Sequence, residues 1–539
     1  MLKYLLILLS TNQLLAQHKS LKNNPMDNQT ITILQSADIH AYLNSHDELF
    51  VENGKPVFRK AGGLAHMKTL VEQIKKENPE GTLFIDGGDL IQGSGASVKT
   101  KGSFFPDIVK VMNYDVLIPG NWEVIYGKEV MMKVMNAYET QVIAANMFHE
   151  DSGKPLFPTH WVTERKGVKM AFIAYNDPEI PERQNPTYSE GITFTPVKFN
   201  LQRLVRQMKE EEKVDLVFVV AHIGLAKQVS LANSPEANGV DFIFGNDTHE
   251  RVRKPIEGKY SRVVEPGAFG SFLGKLEVQV RDHKMVDYSY ELVEVSPEIF
   301  SADKQVQAVI DQALQPYQKE MDVVLGYTAT PLYRYLVVEN PMDNLITDAL
   351  LWKTGVDFAT SNGFRFGVPI LPDETGKKAI TKGDLWRMLP VDENMKTGTV
   401  TGSQIKEWLE KEIENVFSED YEKRFGGWLV RFSGMTLKFD SSKANGNRIS
   451  EITIQGRPLE PEREYRMASC NRTGEPLSTM CRMKSAKDVT IQSYSLHDAV
   501  EEYLKSHGTV SPKIDGRSVA TDLGPQSYSE MKEVGYRFE

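Results

Sequence analysis

A chain of 539 residues is too long for a single hydrophobic core, so two or more domains are the default. With 40% hydrophobic and 25% charged residues, its composition is that of an ordinary globular protein. A net charge of −10 argues against a general nucleic-acid binder, which would carry a basic footprint, but permits a small anionic substrate held by a few local cations.

The opening stretch "MLKYLLILLSTNQLLAQ" reads as an export signal over residues 1–16, which implies a periplasmic or otherwise exported protein. Lys3 gives the positive start, Tyr4 to Leu9 the apolar stretch and Ala16-Gln17 the cleavage point. A buried terminal helix is the alternative, since Ser10 to Gln13 are polar. No other apolar run approaches the ~20 residues of a membrane span.

From 29 to 297 short apolar, β-branched runs alternate with helical patterns. "ITILQSAD", "GTLFIDGGD", "DVLIPGN", "KMAFIAYND", "DLVFVVAH" and "DFIFGND" each end in a polar or glycine turn. Between them lie helices such as "GGLAHMKTLVEQIKKEN", an α/β plan with functional residues on loops after the strands. "SADKQVQAVIDQALQPYQKEMDVVLG" is a polar amphipathic helix without a strand partner, read as a connector over 298–323. The half from 324 to 525 mixes helices and strands in an α+β manner.

The polar residues that stop the strands carry the chemistry. Asp38 and His40 follow the first strand, Asp89 the second and Asn121 the third; His222, then Asp247 and His249, follow two later ones. Any one of these alone reads as a helix cap or a backbone ligand. Five such stops in one α/β domain, all oxygen or imidazole donors, suit two divalent ions, Mn²⁺ first with Zn²⁺ or Fe²⁺ as alternatives.

The order D-x-H, G-G-D, G-N-x-E, H and G-x-x-x-H resembles the calcineurin-like metallophosphatase domain of the 5′-nucleotidase superfamily. "NPMDNLITDAL" and "SNGFRFG" resemble the α+β domain that follows it there. The resemblance implies that Asp38, His40 and His249 hold a first metal, that Asn121 and His222 hold a second, and that Asp89 bridges both. Asp247 stands where the family has a further histidine for the second metal. Two more positions depart from the nucleotidase pattern. Trp122 and Ile125 replace a histidine and an aspartate that act on the reacting phosphate, and "CNRTGEPLSTM" lacks the turn that helps clamp a base.

"DGGDLIQGSG", W-E-x-x-Y-G at 122–127, "VVEPGAFGSFLGKL" and "RFGGWLVRFSGM" resemble instead the SoxB-type thiosulfohydrolases of that superfamily. That resemblance implies a periplasmic two-metal hydrolase whose substrate is a sulfonate carried on a cysteine of a sulfur-carrier protein, with sulfate as product. The missing histidine is then intelligible. A nucleotide expels an alkoxide, which gains from an acid, whereas a thiosulfonate expels a sulfur anion, a far better leaving group. Trp122 would wall off water or line a channel for the carrier arm, and its alternative is a packed core residue. A phosphoesterase that manages without the dyad, and a non-catalytic metal-binding protein, are the other readings.

Arg365 in "NGFRFG" is the candidate cation for a sulfonate or phosphate, with Arg431 a weaker choice. "QGSG" after Asp89 offers either backbone amides to the centre or a helix cap. Cys470 and Cys481, the only cysteines, could close a short loop or remain two buried thiols.

Overall fold

The computed structural model describes residues 28–362 and 366–538. The export-signal reading of 1–16 and the candidate Arg365 lie outside the described residues.

The first half is built on two six-stranded sheets packed face to face. In one, the strands Gln29–Ser36, Thr82–Asp86, Val116–Leu117 and Gln141–Val142 run parallel, with Phe272–Arg281 and Lys284–Glu294 antiparallel at the edge. In the other, Val168–Tyr175, Leu216–His222, Phe242–Asn246 and Arg262–Val264 run parallel. Ile31, Ile33, Leu83 and Ile85 of the first sheet meet Phe172, Phe218 and Phe244 of the second in a dry core. Because the central strands, such as Thr82–Asp86, Leu216–His222 and Phe242–Asn246, are buried on both faces, their runs are continuously apolar rather than alternating. Helices Leu64–Glu77, Phe105–Met112 and Lys128–Asn136 cover the outer face of the first sheet, and Leu201–Glu210 and Leu225–Ala232 that of the second. This is the α/β sandwich of the sequence reading.

Helix Lys304–Met321, capped by Asp303 accepting from Gln305 and Val306 amides, leads to the second half and packs back on the helices of the first sheet. There a five-stranded sheet, ordered Arg431–Ser433, Phe358–Ser361, Glu464–Cys470, Asn394–Thr401, Lys487–Ser495, is flanked by helices Pro341–Thr354, Gly402–Phe417 and Leu496–His507. The α+β reading of this half agrees with that mixture.

The chain then returns to the first half. Met531, Tyr536 and Phe538 enter the same core as Val217, Val229 and Val263, together with Tyr335 and Leu336. The Phe538 ring lies 4.7 Å from the Arg251 guanidinium, and Tyr536 Oη donates to Glu250. Arg251 is itself paired at 2.9 Å with buried Glu48, which accepts from Ser271 Oγ (2.6 Å) and from the Tyr335 hydroxyl.

Candidate metal centre

Parallel strands present their C-terminal ends along one edge, and the loops beyond them gather Asp38, His40, Asp89, Asn121, His222, Asp247 and His249. All are buried, none more than 7% exposed. Five of them have left-handed backbone: Asp38 (φ 51°), His40 (50°), Asp89 (58°), Asp247 (88°) and His249 (58°). Non-glycine residues adopt that region rarely and at a cost of roughly 1 kcal/mol or more each, so the surrounding fold must impose it. Gly120 is required for the same closeness, since a Cβ there would lie 2.2 Å from Asp89 Oδ1.

Two tight donor groups form, Asp38 with His40 and His249, and Asp38 with Asp89 and His222. Asp38 Oδ1 stands 3.9 Å from His40 Nε2, 3.9 Å from His222 Nε2 and 3.8 Å from His249 Nε2. Asp89 Oδ2 stands 3.6 Å from His40 Nε2 and 3.2 Å from His222 Nε2. Asp38 therefore belongs to both groups, and Asp89 of the second also approaches His40 of the first.

The imidazoles are oriented from outside. His40 Nδ1 lies 3.0 Å from the Gln92 carbonyl and His222 Nδ1 2.8 Å from that of Gly87. A ring that donates Nδ1–H to a carbonyl turns the lone pair of Nε2 inward, the tautomer a metal needs. His222 Nε2 is buried without a hydrogen-bond partner. Burial brings His40 down to about 4, keeping it neutral. At His222 burial acts the same way but is outweighed by the Asp89, Asp38 and Asp247 carboxylates, which hold its proton well above the usual range. Convergent carboxylates that favour a cation, inward imidazoles and an orphaned Nε2 fit a pair of divalent ions.

Glu123 organises this edge. Its buried carboxylate accepts the amides of Asp89 (2.9 Å), Leu90 (2.7 Å) and Gly120 (2.6 Å), tying the second loop to the third. Its place two residues after Asn121, in G-N-x-E, is the one sequence signal for this role. Arg183 was missed altogether. The strand Val168–Tyr175 ends in Asn176-Asp177, a sixth polar stop, and the proline-rich loop beyond it carries Arg183 to Asp247.

Trp122 is half-buried and is not a core residue. Its ring lies 6.4 Å from that of His40 and 6.0 Å from that of Phe366, while its amide donates to Asp89 Oδ1 at 2.8 Å. Phe366, from the second half, sits edge-on to His40 at 4.6 Å. Trp122, Asn121, Asp247, His249 and Phe366 line a cavity of about 190 Å³ between the two halves. The wall from the second half holds Cys470, Glu393 and Arg472. The Asn185 amide and the Tyr188 hydroxyl donate to Glu393 (2.5 and 2.8 Å), and Arg472 Nη2 donates to the Glu182 carbonyl (2.9 Å), so the Arg183 loop is fastened to that wall.

The remaining candidates take structural places. Arg431 is buried beside Asp343 (3.1 Å) and donates to the carbonyls of Val337 and Leu336 (both 2.8 Å), so it supports the fold and offers no charge to the cavity. Ser94 of "QGSG" caps helix Gly95–Thr100, the structural alternative. Cys470 and Cys481 are free thiols, not a disulfide, and burial raises both, Cys470 to about 11.

Comparison with known proteins agrees with this architecture. Residues 31–251 match the calcineurin-like phosphoesterase family and residues 324–472 the 5′-nucleotidase C-terminal domain. The chain belongs to the 5′-nucleotidase/calcineurin-like metallophosphatase superfamily. It is 23% identical to the trifunctional nucleotide phosphoesterase protein YfkN of Bacillus subtilis over 90% of this chain but only 34% of that protein, about a third of its length. Among solved structures it resembles the sulfate thiohydrolase SoxB of Thermus thermophilus (TM-score 0.82, 22% identity, 93% of this chain and 98% of that one). It also resembles a 5′-nucleotidase precursor of the same organism (TM-score 0.79, 21% identity, 92% and 100%). At such identities these likenesses establish the fold alone.

Proposed function

We propose that this protein is an exported two-metal hydrolase of the SoxB-like kind, releasing sulfate from a thiosulfonate held on a cysteine of a carrier protein. The observation that carries this reading is Trp122. Where nucleotidases keep a histidine to assist the leaving oxygen, an indole here lines the cavity against His40 and Phe366. Ile125 takes the place of the orienting aspartate. A substrate whose leaving group needs no proton suits such a site.

Asp38, His40, Asp89 and His249 would hold one ion and Asp89, Asn121, His222 and Asp247 the other, with Asp38 placed to reach both. Two such ions, Mn²⁺ for preference, supply a lowered pKa for water and charge for the sulfonate oxygens. The chain's own residues do the rest. The amides gathered by Glu123 fix Asp89, the carbonyls of Gln92 and Gly87 fix the imidazoles, and Trp122 with Phe366 excludes bulk water from His40. In the overall reaction water adds its oxygen to the sulfonate sulfur and the S–S bond breaks. The carrier sulfur leaves with the bonding pair, and sulfate and two protons are released.

A nucleotide phosphoesterase is the second reading, favoured by the activity in the name of the relative YfkN. A hydrolysis screen with manganese decides between them, comparing a thiosulfonate-bearing carrier peptide, an aryl phosphate and AMP. Sulfate release from the peptide well above the rate with AMP is expected; robust AMP turnover would replace this reading with the second.

A further inference from the structure

Where the superfamily carries a further imidazole, this chain has Asp247, and the structure gives that carboxylate a cationic partner. Asp247 Oδ1 accepts from Asn121 Nδ2 at 2.7 Å, and Oδ2 accepts from Arg183 Nη1 at 3.0 Å. The same Nη1 donates to Asp177 Oδ2 at 2.7 Å. An aspartate and an arginine together carry no net charge, as a neutral imidazole carries none. With Asp177 on the same nitrogen the three groups together carry one negative charge, and the guanidinium stands beside the second donor group.

The geometry of that guanidinium matters more. Both carboxylates take Nη1, so Nε and Nη2 have no hydrogen-bond partner among the described residues. The side chain is 13% exposed and lines the cavity beside Asn121 and Trp122. Phe425 lies 5.7 Å from Cζ and flanks it. Two carboxylates on one nitrogen fix the orientation of the plane, and the Nε–Nη2 edge left over is the fork that matches two oxygens of a tetrahedral oxyanion. A lysine could supply the charge but not the fork.

We propose that Arg183 is a substrate-binding residue, taking two oxygens of the substrate's terminal sulfonate or phosphate on its Nε–Nη2 edge. Asp247 and Asp177 act as the positioning residues that aim it. This places the oxyanion beside Asn121 and the second donor group, on the cavity side facing Trp122. It deepens the proposed function and rests on that reading only in requiring an anionic tetrahedral group.

The test uses the full chain loaded with manganese, as wild type, Arg183→Gln and Arg183→Lys. Manganese per chain and melting temperature are measured first, then the affinity for inorganic sulfate and phosphate by calorimetry. Arg183→Gln should keep its manganese and bind both anions about tenfold more weakly or worse, the scale of a lost charge-assisted pair. Arg183→Lys should recover only part. Unchanged anion affinity in Arg183→Gln at equal manganese content overturns the proposal, as does a wild type that binds neither anion. If Arg183→Gln fails to fold or loses manganese, Arg183→Lys decides: wild-type affinity overturns the proposal, a clear loss at full manganese supports it. Thiosulfonate peptide and AMP, added as competitors of sulfate, show which substrate brings the oxyanion. Arg183-dependent sulfate binding without turnover of either would leave this inference standing and remove the functional reading.

Discussion

The backbone amide of Trp122 donates to Asp89 Oδ1 at 2.8 Å, so this position serves the centre through its main chain and the cavity through its ring. The two roles separate by mutation. Trp122→Ala keeps the amide, and its metal content should match wild type. Turnover of a carrier-bound thiosulfonate should fall about tenfold or more, and an aryl phosphate less, because only the former depends on the wall the indole provides. An equal loss with both substrates would assign the ring to the chemistry itself.

Trp122→His alone should not create an efficient nucleotidase. The new imidazole would have no group to orient it, since Ile125 stands in the same 3₁₀ turn, Glu123–Tyr126, where the partner carboxylate would be needed. AMP hydrolysis measured for wild type, Trp122→His and Trp122→His with Ile125→Asp, at matched metal content, should rise only in the last.

Asp89→Ala should strip most of the bound metal and abolish turnover while the circular dichroism spectrum stays native. The carboxylate it removes lies within 3.6 Å of two imidazoles. Because Asp38 also reaches both groups, Asp38→Ala should be as damaging. Full metal occupancy in either variant, measured by elemental analysis, would remove that residue from the ligand set.

Asp247→His restores the superfamily's residue but leaves Arg183 paired with Asp177 alone. The variant loses one negative charge beside the second donor group, so Arg183→Gln added to it should raise metal content over Asp247→His by itself. Zinc should gain on manganese in both, since imidazole suits zinc. Elemental analysis after dialysis against a mixture of the two metals gives the ratio.

Much of this centre was legible beforehand because its signal is local. Asp38, His40, Asp89, Asn121, His222, Asp247 and His249 each stop an apolar run, and a parallel sheet brings such stops to one edge. Arg183 was not legible in this way. It lies six residues beyond Asp177 in a loop whose direction is set by fastening to Glu393 and Arg472 in the other half, contacts 205 to 290 positions away in the chain. Arg431 misled for the converse reason: its motif looked like an anion site, yet its partner Asp343, 88 residues away, buries it. Loops after strands declare themselves, whereas long-range pairing of charges does not.

Acid should destabilise the protein through Glu48. Burial alone would raise this carboxyl, but Arg251 foremost, with His46 and Ser271, holds it at about 2 against an ordinary 4.5. A depressed folded-state value contributes stability that is complete above about 4.5 and is lost as pH falls toward 2. Denaturant midpoints should therefore drop between pH 5 and pH 2.5, with a shallower slope in Glu48→Gln. Glu48→Ala at neutral pH should cost about 3 kcal/mol or more, because Arg251 would remain buried and unpaired. An identical pH slope in Glu48→Gln would place the acid sensitivity elsewhere.

The same Arg251 is where the returning segment docks, with Tyr536 and Phe538 set into a core that the first half shares with Tyr333, Tyr335 and Leu336. A fragment cut at the connector helix would therefore be an incomplete object, with an open seam beside Glu250 and Arg251 where those rings belong. The sequence divides into two halves, yet the core of the first is finished only by residues of the second. Shuffling either onto a new partner would carry a missing piece with it, and heating the intact chain should give one calorimetric transition rather than two.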